Sequence, residues 1–207
     1  MKTIIENFQS KLDSIFEASQ QKNMVVVYSG RFQPFHKGHF ETFQNIKKEF
    51  PNADVVIGTS DKVDLPKSPF NFKEKKKIIT SMFKIGKQEV HQVKNPYAPK
   101  EILENYPEDT VYVTVVGKKD ADRLSKGKYF DIYTDGMKMS EGYKDKGYIF
   151  VAPENTTEYK GTPISGSLVR DTFSDAEEAD KKELFKALYG KLDKNIFDLI
   201  TSKIESE

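Results

Sequence analysis

The run Met24-Val-Val-Val-Tyr28 is short, apolar and β-branched, and it stops at Ser29-Gly30, a pattern that predicts a buried parallel strand followed by a turn. Beyond the turn the apolar spacing lengthens. Phe40, Phe43, Ile46 and Phe50 share one face of a helix that Pro51 ends, and Asp54 to Thr59 then reads as a second buried strand. Strand, helix and strand make a βαβ unit, whose crossover is expected to be right-handed. Asn71, with Glu74 three residues on, predicts a capping box for a helix carrying Phe72, Ile78, Ile79, Met82 and Phe83. Glu89 to Val93 reads as a short strand, Thr110 to Val116 as a strong one ending at Gly117, and Gly147 to Ala152 as the last. Between these two, Ser125 to Lys146 is rich in Gly, Lys, Asp and Tyr without periodicity and reads as a loop or excursion, a candidate to meet substrate. After Pro163 the pattern predicts a helix from near Ser165, then two more over roughly 175–189 and 194–204, while Ile4, Ile5, Phe8, Leu12 and Ile15 predict an amphipathic helix before the first strand. Strands alternating with helices argue for a doubly wound α/β parallel sheet, with ligands at the carboxyl ends of its strands.

Composition narrows what such a sheet could serve. The 33 basic and 32 acidic side chains nearly cancel, which removes any whole-molecule argument for nucleic acid or anionic lipid as partner. No apolar run approaches the roughly 20 residues that span a bilayer. The chain has no cysteine, so disulfides, thiolate metal sites and a cysteine nucleophile are excluded, and a reducing cytoplasm is the expected setting. At 207 residues one domain is favoured over two.

The segment Gly30-Arg-Phe-Gln-Pro-Phe-His-Lys-Gly-His39 sits where the first strand gives way to the first helix. Gly30 permits close backbone approach, and a helix start near Lys37 offers N–H groups and partial positive charge to an anion. His36 and His39, three apart on one helical face, can both donate from ring nitrogens to one phosphate chain. Far down the chain, Ile164-Ser-Gly-Ser-Leu-Val-Arg170 predicts a second helix start capped by Ser165, with Arg170 one turn in as a forked cation.

The string GRFQPFHKGH closely resembles the first motif of the nucleotidylyltransferase superfamily, (H/T)xGH, and its fuller form looks like nicotinamide mononucleotide adenylyltransferases of the archaeal type and those fused to a Nudix domain. Ile164 to Arg170 is similar to the superfamily's second signature, ISxTxxR, with Ser167 in the threonine place. The resemblance implies a Rossmann-like doubly wound parallel sheet with helices on both faces: an extra N-terminal helix over 1–20, the nucleotidylyltransferase domain over 24–173, and a C-terminal helical extension over 174–207 packed on it. It implies AMP transfer from ATP to a small phosphate-bearing acceptor, nicotinamide mononucleotide first, by direct attack of the acceptor phosphate on the α-phosphorus. His36, His39 and Arg170 would then be catalytic. Gly30, Arg31, Phe32, Gln33, Gly38, Gly117, Asp120, Ile164, Ser165 and Ser167 would bind nucleotide, with Mg2+ carried in by ATP and no protein metal ligand.

Two weaker likenesses accompany these. Ser68 to Lys75 is similar to a family segment ending in Glu-Arg that helps bind the acceptor, with Lys75 in the place of the arginine. Gly117-Lys-Lys-Asp120 resembles a Gly-x-Asp region that meets ribose, with one residue more, so that Asp122 is a second candidate. Tyr97, Tyr129, Tyr133 and Tyr143 are candidates to stack on the acceptor in a chain without tryptophan. Another adenylyl- or cytidylyltransferase, or a catalytically idle nucleotide-binding module, stays open as an alternative, as does homo-oligomerisation.

Overall fold

The computed structural model describes residues 23–153 and 157–205. The helix expected over 1–20 lies outside them. Six strands form one parallel sheet in the order β3-β2-β1-β4-β6-β5: β1 (Met24–Ser29), β2 (Asp54–Thr59), β3 (Val90–Gln92), β4 (Val111–Val116), β5 (Phe130–Ile132) and β6 (Gly147–Val151). β1 lies at the centre, with Val26 paired to Val55 of β2 on one side and to Val113 of β4 on the other. Val25, Val26, Val27, Val113 and Val115 are fully buried, as expected of strands covered on both faces, where β-branched side chains pack without alternating with polar ones. The chain builds outward from β1 to β3 and then returns to β4 on the other side of β1. The crevice above the β1–β4 boundary is therefore where such a sheet takes ligands.

Helices α1 (Lys37–Glu49), α2 (Phe72–Phe83), α3 (Lys100–Leu103) and α4 (Lys118–Leu124) connect the strands. The Asn71 box is present: Glu74 N–H donates to Asn71 Oδ1 at 3.0 Å, and Asn71 N–H to Glu74 Oε2 at 2.9 Å. The aperiodic stretch after Ser125 contains a strand. β5 pairs with β6 from Phe130 opposite Gly147 to Ile132 opposite Ile149, so β6 is inserted between β4 and β5. Three residues with Asp131 at their centre are too few to show a hydrophobic period, and their pairing is set by β6 rather than by local propensity.

The last three helices, α5 (Gly166–Asp175), α6 (Glu178–Tyr189) and α7 (Lys194–Glu205), share an apolar cluster with α2. Phe173 and Phe185 both meet Phe197, at ring-centroid distances of 5.8 and 5.6 Å, and Ile78 and Met82 of α2 join the same cluster. Lys203 on α7 pairs with Glu74 on α2 at 2.7 Å. α5 continues past Phe173 to Asp175, so a boundary drawn at residue 173 cuts a helix. A short hairpin of β7 (Glu158–Tyr159) and β8 (Thr162–Pro163) precedes α5. Among the described residues no helix is long and apolar enough to cross a membrane.

Because α5 carries Arg170 and is held from behind by this cluster, Phe173→Ala should lower the unfolding free energy by about 3–5 kcal/mol, the usual result of emptying a buried phenyl site. A urea midpoint within error of the wild type would show that the cluster does not anchor α5.

Candidate active site

β1 ends beneath the segment Gly30–Phe35, and two adjoining cavities open above it. One, of 430 Å³, is lined by Arg31, Phe32, Gln33, Pro34, His39, Lys67, Ser165, Gly166, Ser167 and Arg170. The other, of 400 Å³, shares Arg31, Phe32, His39, Ser165 and Gly166 and continues to Gly30, His36, Gly38, Thr42, Gly117, Lys118 and Ile164. Among the described residues neither lining contains an Asp or Glu. A larger cavity of 770 Å³ lies at the opposite end of the sheet, around Met24, Glu49, Asp54 and Tyr133, and has no Lys or Arg among the described residues of its lining. Charge rather than size therefore identifies the anion site.

The start of α1 is built from the two histidines themselves. His36 is the N-cap: Gly38 N–H donates to His36 Nδ1 at 3.2 Å, and His36 N–H donates to His39 Nδ1 at 3.3 Å, the reciprocal pattern of a capping box made from imidazoles. The rings lie 3.9 Å apart between centroids. Burial pushes the His36 imidazole down to about 4 and, together with its neighbour His36, holds His39 well below the ordinary range, so both rings are neutral near pH 7. A neutral ring accepting at Nδ1 carries its proton on Nε2, which makes each Nε2–H a donor. Two backbone donors of the helix start are thus used inside the box, and ring donors stand in for them.

Phe32 sits in the left-handed region, φ 48°, at a cost of about 1–2 kcal/mol for a non-glycine residue. Its ring offsets that cost by packing against Tyr28, Phe35 and His39, with centroids 5.1, 5.2 and 5.1 Å away. That ring explains Gly30: a Cβ there would stand 2.6 Å from the Phe32 ring. Gln33, expected to bind nucleotide, turns its side chain inward. Its Nε2 donates to the Phe70 carbonyl and its Oε1 accepts from the Phe70 N–H, both at 2.9 Å. Its own carbonyl accepts from Arg170 Nη1 at 3.1 Å.

On the facing element Ser165 caps α5, accepting from Leu168 N–H at 3.1 Å, and Arg170 Nη2 reaches Ser167 Oγ at 3.3 Å. Gly166 escaped the sequence reading although it lies inside the second motif. A Cβ on it would stand 2.9 Å from the Gln33 carbonyl oxygen and 3.0 Å from Arg170 Nη1, so only glycine lets α5 approach so closely. Lys67, Lys118 and Thr42 also line the cavities without having been foreseen; Thr42 Oγ1 donates to the Gly38 carbonyl at 3.0 Å.

The structure therefore brings together His36, His39, Arg170, Gly30, Arg31, Phe32, Gln33, Gly38, Gly117, Ile164, Ser165 and Ser167 around one pair of cavities. It does not bring Asp120 to them. Both Asp120 oxygens are taken, by the Tyr97 hydroxyl at 3.0 Å and by Arg123 at 2.9 Å, and the Arg123 guanidinium lies over the Tyr97 ring. No residue of Ser125–Lys146 lines either cavity; Tyr133 lies in the opposite one, and the Tyr129 hydroxyl donates to the Tyr143 carbonyl.

The cytidylyltransferase-like family model matches residues 27–172, and this chain belongs to that family. It is similar to nicotinamide-nucleotide adenylyltransferases of Methanococcus maripaludis: 28% identical over 144 residues to one, and 32% over 137 residues to that of another strain, in each case over 65% of this chain and 72% of the relative. Among solved structures, a bifunctional NMN adenylyltransferase/ADP ribose pyrophosphatase from Francisella tularensis shares the fold, with a TM-score of 0.53 at 19% identity over 87% of this chain. The chain spans about half, 49%, of that longer protein.

A histidine held neutral by burial binds fewer protons folded than unfolded. Stability from His36 should thus be fully present above its ordinary value of 6.5 and be lost as pH falls towards about 4. His36→Asn keeps an acceptor at the cap, and its melting temperature should fall less steeply than the wild type's across that window. Parallel slopes for the two proteins would mean that His36 is not held neutral.

Proposed function

We propose that this protein transfers AMP from ATP to nicotinamide mononucleotide, giving NAD and pyrophosphate. The observation that carries the reading is the meeting of the two motifs around a cavity whose described lining has no Asp or Glu. The His39 ring, Arg31, Arg170 and the capped start of α5 border one space of 430 Å³, although the motifs are separated by most of the chain. The acceptor is taken from the relatives, several of which are named nicotinamide-nucleotide adenylyltransferases.

The chemistry asks little of a base. An acceptor phosphate oxygen is already an anion: it attacks the α-phosphorus, the new O–P bond forms, and the bond to the bridging oxygen breaks with its electron pair leaving on pyrophosphate. Charge grows on the α-phosphate and on the departing group, and preorganised donors aimed there lower the barrier. The Nε2–H groups of His36 and His39 suit the first task. Arg170 suits the second, since two of its five N–H donors are used on Gln33 and Ser167 and three remain for phosphate oxygens. Among the described residues no group of three or more His, Cys, Asp or Glu could cage a metal, and the cavity offers donors rather than carboxylates. Such a donor set fits magnesium that arrives on the triphosphate oxygens, where it would neutralise charge. The lack of cysteine suits a reducing cytoplasm, where we place the reaction.

Pyrophosphate release should require both ATP and nicotinamide mononucleotide when ATP and CTP are each supplied with a panel of phosphate-bearing acceptors. Release with CTP, or with another acceptor only, would replace this assignment by another nucleotidyl transfer. Release under no condition would favour a binding module.

His39→Ala should retain its fold and lose about 10²-fold or more in turnover, as removal of a preorganised donor commonly does. Arg170→Lys should raise the KM for ATP, and Arg170→Ala should nearly abolish turnover, because lysine keeps the charge and loses the fork. Equal kinetics for the arginine and lysine proteins would show that no bidentate contact is made.

A further inference from the structure

Lys75 stands on the core face of α2, one turn before Ile78 and Ile79, a place where the helical pattern asks for an apolar side chain. It is 0% exposed and lines neither cavity above β1. Its ammonium makes three hydrogen bonds to three acceptors: the Thr59 hydroxyl at 3.0 Å, the Ser60 carbonyl, and the Arg31 carbonyl at 3.3 Å. Three N–H donors are all that an ammonium has, so none is left for a substrate phosphate. Thr59 adds a second donor to the same Arg31 carbonyl, at 3.4 Å.

In a trans peptide the carbonyl and the following N–H point in opposite directions. With the Arg31 carbonyl drawn inward by Lys75 and Thr59, the N–H of Phe32 points outward, on the side where Arg31 and Phe32 line both cavities. Phe32 N–H has no acceptor among the described residues. The positive φ of Phe32 belongs to this orientation. Turning the peptide over would relax Phe32 towards negative φ, and would also present a carbonyl oxygen to the space where Arg170 and His39 await an anion.

We propose that Lys75 is a positioning residue: its buried ammonium locks the Arg31–Phe32 peptide with the carbonyl inward, so that Phe32 N–H becomes a backbone donor to the phosphate chain beside Arg31. This rests on the phosphate-site reading above, and it gives Lys75 a role distinct from an acceptor-phosphate ligand. Burial lowers the Lys75 ammonium to about 8, against a weaker opposing pull from Asp61; at neutral pH it keeps its charge and all three donors.

The probe is inorganic tripolyphosphate, which needs no acceptor, added to the 15N-labelled 207-residue chain. Its binding should move the Phe32 amide proton downfield in the wild type. In Lys75→Met, with unchanged circular dichroism, that shift should be lost and affinity should fall by about tenfold or more, in line with misplacement of a binding element. Thr59→Val removes one of the two donors to the Arg31 carbonyl and should show the same effects in smaller measure; if Lys75→Met does not fold, it carries the test. Bound tripolyphosphate that leaves the wild-type Phe32 amide unmoved would overturn this inference alone. So would a folded Lys75→Met protein, or in its place Thr59→Val, with wild-type shift and affinity. Failure of tripolyphosphate to bind the wild type at all would overturn the phosphate-site reading and this inference with it.

Discussion

Gln33 is the joint on which the site depends. Its side-chain amide makes paired hydrogen bonds with the backbone of Phe70, and its carbonyl receives Arg170, so one residue ties the loop after β1 to the entrance of α2 and to α5. The residue is 7% exposed, and an amide so buried would cost about 1–3 kcal/mol for each unpaired group. Pairing both of its ends with one peptide unit removes that cost and leaves a single low-energy arrangement. Everything that faces the cavity is referred to this joint, because the loop cannot move without breaking bonds to two other elements.

Around the joint the site is made of donors that were oriented during folding. The imidazole capping box sets which nitrogen of each histidine carries the proton, and burial keeps both rings uncharged. Such donors need no rearrangement when charge develops, which is the condition under which hydrogen bonds to a transition state are most effective. Basic side chains are supplied separately, by Arg31, Lys67 and Arg170 at the cavity wall. The strain at Phe32 belongs to the same economy: a left-handed residue persists only where the surroundings over-determine it, and here its ring is enclosed by Tyr28, Phe35 and His39.

Support comes from two apolar clusters. One lies against the sheet, through Val26, Phe35, Phe43, Ile57 and Val113, and holds the loop after β1 from below. The other is formed by α5, α6 and α7 with α2, and holds Arg170 from the side. The sheet presents the first motif and the helical cluster presents the second. Close approach between them is allowed at Gly166, where any side chain would collide with the Gln33 carbonyl.

What was legible in the sequence was local. Parallel strands show as apolar β-branched runs, and the helix starts at Asn71 and Ser165 show because each cap bonds to a residue three positions away, within the reach of one turn. The two motifs carried the site for the same reason: each is a contiguous stretch with its own geometry. What remained illegible was the choice of distant partner. Gln33 pairs with Phe70, Lys75 turns under Arg31 and Asp120 turns to Tyr97, because each choice depends on how strands register and helices stack, and on the cost of leaving a polar group unpaired in the space that results. The insertion of β6 between β4 and β5 belongs with these, since three residues of β5 take their pairing from a neighbour rather than from their own pattern. Residue types and short spacings thus determined the elements and the two halves of the phosphate site. Only the tertiary structure decided which donors face the cavity and which are spent inside it, because desolvation is set by the whole fold and not by any one segment.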